Sequence, residues 1–275
     1  MATRTSSKAG APGSIRVGIG GWSYDPWRET FYPADVPKKK ALIYASSQVT
    51  AIEVNATYYR TQSAGSFARW RDETPNDFVF AVKASRFATN RRVLAEAGDS
   101  IDLFVGSGLE ALGPKLGPLL WQFMPTKRFD ETDFTAFVER LPKRLGALTL
   151  RHALDVRHES FRCEAFVALA RKHGVAIVCS DSDDYPMIGD VTADFVYARL
   201  MRAKADVVTG YSTKDIATWT ARAHALAAGD TIEALGPVAK PVPKQKRDAF
   251  VFFINVAKER APAGARAMLE NLQKG

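Results

Sequence analysis

The chain contains 275 residues, of which 46% are hydrophobic and 25% are charged, a composition typical of a globular protein. Its formal net charge of +8 favours anionic partners such as phosphates, nucleic acid or acidic metabolites. No apolar run is long enough to span a bilayer, so we expect no membrane partner.

The N-terminal segment 1–13 is rich in Ser, Thr, Ala and Gly and lacks the apolar stretch of a secretory signal. We expect a disordered tail there, followed by a single domain over residues 14–275. The two cysteines, Cys163 and Cys179, have neither the spacing of a metal site nor the number of a disulfide framework. This favours a reducing, cytoplasmic location.

Eight short apolar segments follow one another along the chain and predict β-strands. Each is bounded by polar residues, and most are rich in β-branched or aromatic side chains. The predicted strands are 15–20, 49–55, 78–83, 119–123, 153–157, 175–179, 194–199 and 249–254. Between them, amphipathic segments predict helices at 38–48, 63–73, 101–112, 130–141, 160–173, 213–228 and 264–273.

The alternation of continuously apolar strands with helices is the pattern of a (β/α)₈ TIM barrel, within the α/β class. An open, doubly wound sheet is the alternative. Three glycines at the first strand, Gly18, Gly20 and Gly21, lack the spacing of a dinucleotide-binding loop. We expect them to allow close backbone approach near a pocket.

Nearly every predicted strand becomes polar at its C-terminal end, and in a TIM barrel these ends form the working face. The polar residues are Glu53, Asn55, Lys83, Gln122, Asp155, Arg157, Asp181, Arg199 and Asn255. Alternation along the strands groups Ala81 with Lys83, Leu120 with Gln122, and Val251 and Phe253 with Asn255. The sequence therefore predicts a pocket of mixed charge at one rim.

Glu53 is a candidate general acid or base, because burial of a carboxyl group raises its pKa towards neutrality. A buried ion pair with Lys83 or Arg157 explains it equally well. Asp155 and Asp181 are further candidates for acid–base chemistry. They could also join Glu53 as oxygen ligands of a divalent metal, with His158 as the nitrogen ligand. Salt bridges to Arg157 and Arg199 are the interpretation that we favour for the two aspartates.

The remaining polar residues suggest substrate binding. Arg157, Arg199 and Lys83 could hold a phosphate or carboxylate. Asn55, Gln122 and Asn255 could orient the substrate. The aromatic residues Trp22, Tyr24 and Tyr58 could stack on a base or sugar, or pack as loops over the barrel mouth.

A basic run at 240–247 suggests nucleic acid, but it precedes a strand and is therefore expected on the opposite face. No HxH or HExxH spacing that would indicate a zinc site occurs in the sequence.

Six segments resemble the motifs of the domain of unknown function 72 family, also called YecE-like. They are IRVGIGGWSYDPW (15–27), IEVNATYYR (52–60), FVFAVKAS (78–85), LGPLLWQF (116–123), DVRHESF (155–161) and TADFVYARL (192–200). The resemblance runs in register to the C-terminus. It implies a TIM barrel but no established reaction.

The family pattern places an acidic residue at Glu53, an Arg-His pair at Arg157 and His158, an Asp at Asp181 and an Asn at Asn255. This chain departs from that pattern in three places. The family usually has His at the position of Asn90, Glu at Asp155 and an acidic residue at Ile254.

Two functions remain open. One is a hydrolase- or isomerase-type enzyme that acts on a small polar or phosphate-bearing substrate, with Glu53 as acid or base. Such an enzyme would be cofactor-independent or assisted by a divalent metal. The other is a non-catalytic module that binds nucleic acid or phosphate.

Overall fold

The computed structural model describes residues 13–254 and 256–274, so residues 1–12 of the predicted tail lie outside it. The strands are β1 (Ile15–Gly20), β2 (Ala51–Val54), β3 (Val79–Lys83), β4 (Leu116–Gln122), β5 (Arg144–Leu145), β6 (Leu148–Thr149), β7 (His152–Asp155), β8 (Ala176–Asp181), β9 (Phe195–Leu200) and β10 (Asp248–Phe253). Eight of them close into a parallel barrel in the order β1-β10-β9-β8-β7-β4-β3-β2. The predicted TIM barrel is confirmed, and the open sheet is excluded.

Helices connect the barrel strands and cover their outer face. They are α1 (Trp27–Thr30), α2 (Ala41–Gln48), α3 (Ala56–Tyr59), α4 (Ala64–Asp72), α5 (Arg86–Thr89), α6 (Gly98–Val105), α7 (Glu131–Glu139), α8 (Glu164–His173), α9 (Thr213–Ala228) and α10 (Ala261–Lys274). Short 3₁₀ turns precede or follow several of them. None of the helices in the described ranges is both long enough and apolar enough to cross a membrane.

The helix predicted at 101–112 is interrupted, whereas most other boundaries shift by one to three residues. Helix α6 ends at Val105, and a 3₁₀ segment, Leu109–Lys115, begins after Gly108. Gly108 has φ +108°, a left-handed conformation that glycine adopts without steric cost. The small antiparallel hairpin β5–β6 is a further feature that the apolar pattern does not predict.

The core has two layers, one between the strands and the helices and one inside the barrel. The inner layer combines small and large side chains. Alanines come from β2, β3, β7 and β8, while Phe195, Tyr197, Phe250 and Phe252 come from β9 and β10. The ring centroids of Tyr197 and Phe252 lie 5.0 Å apart. The barrel is therefore filled from one side by aromatic rings that pack towards small residues.

Gly18 and Gly20 confirm the expectation of close approach. A Cβ added at Gly18 would collide with the carbonyl oxygen of Ala51 and lie 2.8 Å from the Phe252 ring. At Gly20 it would lie 3.0 Å from Cδ1 of Ile254 and 3.2 Å from Nδ2 of Asn55. These glycines let β1 pass beside the inner aromatic rings and the polar rim.

We predict that Gly18→Ala lowers the free energy of unfolding by about 1–3 kcal/mol or more, because overpacking here meets rigid backbone. Urea unfolding measures the change. Gly65→Ala is the matched control, since Gly65 lies in α4 and its added Cβ meets only Ser63 Oγ, at 3.8 Å. That change should stabilise the protein by up to about 1 kcal/mol. Equal stability of the two variants would contradict the packing described for β1.

Candidate functional site

Arg199, at the C-terminal end of β9, occupies the centre of the barrel beneath the open rim. It is 1% exposed, and its guanidinium binds Glu53 through two bonds, Nε–Oε2 at 3.1 Å and NH2–Oε1 at 3.0 Å. Its third nitrogen, NH1, lies 2.6 Å from Oδ2 of Asp155. Burial opposes a charge on Arg199, but the two carboxylates outweigh this effect and raise its pKa.

The structure places both carboxylates of this network beneath the pocket. Glu53 and Asp155 are fully buried, and Glu53 also accepts a hydrogen bond from Tyr197 at 2.8 Å. Burial, together with the charge of Glu53, raises the pKa of Tyr197 well above 10, so its hydroxyl stays a donor. The sequence suggests Lys83 or Arg157 as the ion-pair partner of Glu53, whereas the structure pairs it with Arg199.

Arg157 forms the second level of the network, nearer the opening. Its NH2 donates to Oε1 of Gln122 at 2.8 Å and to Oδ2 of Asp155 at 3.2 Å. Arg199 NH1 donates to the same Gln122 oxygen at 3.1 Å. Tyr185 covers the guanidinium of Arg157, which lies 4.3 Å from the ring centroid. The favoured salt bridges of Asp155 with Arg157 and Arg199 are therefore present.

Lys83, at the end of β3, differs from the two arginines because none of the described carboxylates forms an ion pair with it. Its Nζ makes no hydrogen bond or ion pair with any residue that the structure describes, and it lies 4.1 Å from the centroid of the Tyr58 ring. Burial lowers the pKa of Lys83 to about 8, and the charge of Arg199 contributes to this shift. The free amine is thus a minor form at neutral pH, but a much larger one than for an ordinary lysine.

A pocket of about 370 Å³ opens above this network at the C-terminal ends of the strands. Among the described residues, those that line it are Gly20, Asn55, Tyr59, Lys83, Gln122, Arg157, Arg199, Phe253, Ile254 and Lys258. The lining includes four cationic side chains. Among the described carboxylates, two form ion pairs with these cations, namely Glu53 and Asp155. We call this the central pocket, and its excess positive charge suits an anion.

Two buried polar atoms of the network have no hydrogen-bond partner among the described residues. They are Oδ1 of Asp155 and Nε of Arg157. Unpaired buried polar atoms are costly in a folded protein, and they are found where a water molecule or ligand completes the site. One is an acceptor and the other a donor, which favours a ligand that carries both kinds of group.

The predicted aromatic residues do not form one stacking surface. Tyr58 is mostly buried and covers Lys83. Trp22 packs edge-on against Trp70 with centroids 5.0 Å apart. Trp22 and Tyr24 line a smaller hollow of about 280 Å³, which shares Gly20, Asn55, Tyr59 and Lys258 with the central pocket. Packing within the loops therefore accounts for Trp22 and Tyr58, whereas Tyr24 lines the smaller hollow next to the central pocket.

Asp181 and His158 lie apart from the central pocket. Asp181 is held by Tyr211 at 2.9 Å and by Trp219 of α9 at 3.2 Å, and its basic neighbour is Arg202 rather than Arg157 or Arg199. Burial raises the pKa of Asp181.

His158 uses its ring to cap the 3₁₀ turn Glu159–Phe161. The structure does not bring these residues together with Glu53 and Asp155. No group of three or more His, Cys, Asp or Glu residues in the described ranges could hold a metal ion.

The sequence-based prediction of which β10 side chains face the barrel interior is wrong. Val251 and Phe253 belong to the layer under the helices, whereas Phe250, Phe252 and Ile254 face the barrel interior. Asn255, which the sequence groups with Val251 and Phe253, lies outside the described residues. Ile254 consequently contributes an apolar wall to the central pocket.

Several residues at the site were not among the predicted site residues. Tyr197 and Tyr185 contact the charged network, Ile254 lines the pocket, and Lys258 follows β10. The Nζ of Lys258 lies 4.8 Å from the centroid of Tyr24, and burial lowers its pKa. Tyr197 precedes Arg199 by two residues, so the alternation along β9 could have identified it.

The opposite face of the barrel carries the basic run 240–247, as its position before a strand predicts. Lys244 pairs with Asp230 at 2.6 Å, and Arg247 donates to backbone carbonyls, including that of Gln245 at 2.7 Å. Arg151 joins Asp248 at 2.6 Å and Asp194 at 3.3 Å at this end. Arg151 and Lys244 are thus paired with carboxylates, and Arg247 with backbone carbonyls, whereas Lys83 in the central pocket has no such bond to a described residue.

Comparison with known proteins gives a consistent family match. The family model described as "Protein of unknown function DUF72" matches residues 16–275. The chain is similar to the UPF0759 protein YunF of Bacillus subtilis (strain 168), with 27% identity over 187 residues, or 64% of this chain. The match spans 62% of the length of that curated relative.

Solved structures of the same family share the fold. A DUF72 family protein from Thermotoga maritima MSB8 superposes with a TM-score of 0.72 at 21% identity, covering 94% of this chain and 99% of that one. A DUF72 family protein from Enterococcus faecalis V583 gives a TM-score of 0.65 at 17% identity, covering 94% and 95%. At these identities the likeness supports the barrel architecture.

We predict that Arg199→Met lowers the free energy of unfolding by about 3–5 kcal/mol, because it leaves two buried carboxylates without their cation. Urea unfolding measures the loss. Lys38→Met is the control, since Lys38 forms an ion pair with Asp25 on the surface and its removal should change stability little.

Adding Glu53→Gln to Arg199→Met should recover part of the loss, because it removes one uncompensated charge. A loss for Arg199→Met no larger than that for Lys38→Met would contradict the proposed role of the network.

Proposed function

The chain belongs to the DUF72 family of proteins of unknown function, and we propose that it is an enzyme that transfers protons on a small anionic substrate bound in the central pocket. The observation that carries this proposal is Lys83. It is a buried amine with a pKa lowered to about 8, and it lines a pocket with excess positive charge. Titratable groups with shifted pKa values in a cleft are typical of catalytic sites.

The geometry favours Lys83 over Glu53 as the acid–base group. Both oxygens of Glu53 are occupied by Arg199, and one of them also by Tyr197. Glu53 does not line the pocket, so a substrate would have to displace Arg199 to reach it. Lys83 lines the pocket and has no such partner among the described residues. Glu53 then acts as a positioning residue that fixes Arg199.

The other predicted residues take binding roles under this proposal. Arg157, whose Nε has no partner among the described residues, binds the anionic group. Arg199 contributes its positive charge from below, since its three nitrogens are already bonded to Glu53, Asp155 and Gln122. Gln122, whose amide oxygen accepts from both arginines, leaves its amide nitrogen for the substrate. Asn55 lines the same wall beside Gly20. Asp155 balances the charge of the two arginines.

The proposed chemistry needs no oxidant or reductant. In an isomerisation, the free amine of Lys83 accepts a proton from one substrate atom, and the resulting ammonium returns it to another. The nearby arginines stabilise the negative charge that develops between the two steps. In a hydrolysis, the same amine would accept a proton from the attacking water and return it to the leaving group. A pKa near 8 suits both directions of transfer.

A second candidate function is a non-catalytic module that binds phosphate or nucleic acid. It is favoured by the exposed guanidinium groups of Arg92 and Arg128, which lie at the same end of the barrel. Single-stranded DNA titrated at several salt concentrations distinguishes the two candidates. A slope of several units in log affinity against log salt would support the binding module.

We predict that Lys83 titrates with a midpoint near pH 8, well below its ordinary value of 10.5. NMR of ¹³C-labelled lysine side chains measures the midpoint, and Lys83→Arg assigns the resonance. The unfolded chain holds a proton on this residue between pH 8 and 10.5 that the folded protein releases. Its contribution to stability therefore becomes more favourable as the pH rises through that window. A midpoint near 10.5 would exclude a free amine at neutral pH.

Turnover provides the direct test. Small phosphates and carboxylates are incubated with the protein in D₂O, and ¹H and ³¹P NMR follow deuterium incorporation or product formation. For an active compound, we predict that Lys83→Met lowers the rate by about 10²–10⁴-fold, the range expected for loss of an acid–base group. Lys38→Met, which also removes one lysine charge, should keep the full rate.

Equal rates for Lys83→Met and Lys38→Met would refute the assignment of Lys83. A folded Glu53→Gln protein that binds the compound without turnover, alongside an active Lys83→Met, would transfer the acid–base role to Glu53.

A further inference from the structure

A second concave surface lies beside the central pocket, in the segments that follow β3 and β4. We call it the basic groove. It has a volume of about 460 Å³ and is lined by Thr89, Asn90, Arg91, Arg92, Met124, Thr126, Lys127 and Arg128. Half of these residues are cationic and none is acidic, so the groove carries excess positive charge.

The cations of the groove are not equally available. Lys127 is held by Asp133 at 2.7 Å, and Arg91 donates to the Phe87 carbonyl and the Ser100 hydroxyl, both at 2.8 Å. Arg92 and Arg128 are exposed, and neither forms an ion pair with a carboxylate in the described ranges. These two guanidinium groups are therefore free to bind an anionic ligand.

The hydrogen bonds of His158 determine which of its ring nitrogens carries the proton. Nδ1 accepts from the backbone N–H of Ser160 at 3.0 Å, and the Ser160 hydroxyl lies 2.9 Å from it. That hydroxyl accepts from the N–H of Phe129 at 2.8 Å, so its own proton is directed to Nδ1. A nitrogen that accepts in this way holds no proton, and the imidazole carries its proton on Nε2.

His158 Nε2 lies 3.4 Å from NH1 of Arg128, so two hydrogen-bond donors face the same space. Neither can accept from the other. An anionic oxygen placed between them satisfies both, and bonds to a charged acceptor are the stronger kind. This pairing also explains why His158 is poorly suited to be a metal ligand, since its free nitrogen is protonated.

Two side-chain contacts connect the lining of the basic groove with Lys83 of the central pocket. Asn90, which lines the groove, donates to the hydroxyl of Tyr58 at 3.2 Å, and the Tyr58 ring covers Lys83. Thr89 is 1% exposed, and its buried Oγ1 has no hydrogen-bond partner among the described residues. Through Tyr58 and Asn90, Lys83 is thus linked by two contacts to the lining of the groove.

We propose that the basic groove binds a second anionic group of the substrate, of the phosphate class, through Arg128, His158 Nε2–H and Arg92. This inference rests on the proposed function, because it defines the substrate as a compound with two anionic groups. One occupies the central pocket beside Lys83, and the other occupies the groove.

Inorganic phosphate is the probe, titrated into the full chain at low ionic strength with calorimetry as the readout. We expect two phosphates per chain. The variant Arg92→Ala/Arg128→Ala should keep one site and weaken the other by about tenfold or more, which is the effect of losing a charged hydrogen bond. Arg266→Ala is the control for the loss of one exposed arginine, because Arg266 lies on α10 and lines neither site.

The variants separate the two proposals. If a single phosphate binds, and Arg157→Met removes it while Arg92→Ala/Arg128→Ala does not, the groove proposal is wrong and the central pocket stands. If only the groove variant loses phosphate, the groove binds anions and the proposed function loses its substrate site. Binding by the groove variant that equals that of Arg266→Ala, or no binding by the wild-type protein, would overturn the groove.

The tautomer is tested separately by long-range ¹H–¹⁵N NMR of the histidine rings. We expect His158 to carry its proton on Nε2 and its resonance to move when phosphate is added. In Arg92→Ala/Arg128→Ala the tautomer should persist while the phosphate-induced shift falls. A proton found on Nδ1 would remove the geometric basis of the groove.

Discussion

Arg199 carries a positive charge at a position with almost no access to water, and two carboxylates from other strands are needed to keep it there. Removing an ion from water costs several kcal/mol even in a relaxed protein interior. Glu53 and Asp155 offset that cost by direct bonds, and Tyr197 and Gln122 satisfy remaining donors and acceptors. The strand residues of this network come from four barrel strands, β2, β4, β7 and β9, so it forms only when the barrel closes.

The need to pair the charge of Arg199 explains how the barrel interior is layered along the barrel axis. Aromatic and small apolar residues fill the lower part, the charged network forms the floor of the central pocket, and Lys83 lies in the wall above. The excess of cations follows from the same order, because the two carboxylates are already committed to Arg199 and Arg157. Lys83 forms no ion pair with any described carboxylate, and burial, together with the charge of Arg199, lowers its pKa.

The sequence predicted the barrel because eight apolar runs alternate with amphipathic helices, and both patterns report burial directly. It also placed Glu53, Lys83, Gln122, Asp155, Arg157 and Arg199 at one rim, since polar residues end their strands. It could not choose partners, because Glu53 meets Arg199 only through the strand register across the barrel. The predicted position of Asp181 in the pocket differs from the observed one for a related reason. A one-residue difference in alternation along a strand turns a side chain away from the pocket, and Asp181 instead contacts Trp219 of α9.

The division between floor and rim has a consequence for how such a protein changes over evolutionary time. The floor is formed mainly by strand residues whose bonds to one another are also needed for folding, so substitutions there must keep the charges paired, as Asp for Glu at position 155 does. Three cations lie instead on the segments that connect the strands, namely Arg92, Arg128 and Lys258. The contacts between barrel strands do not depend on them. Substitutions in these connecting segments could change which anion binds while the charged network is kept. Homologous barrels with the same network therefore need not share a substrate.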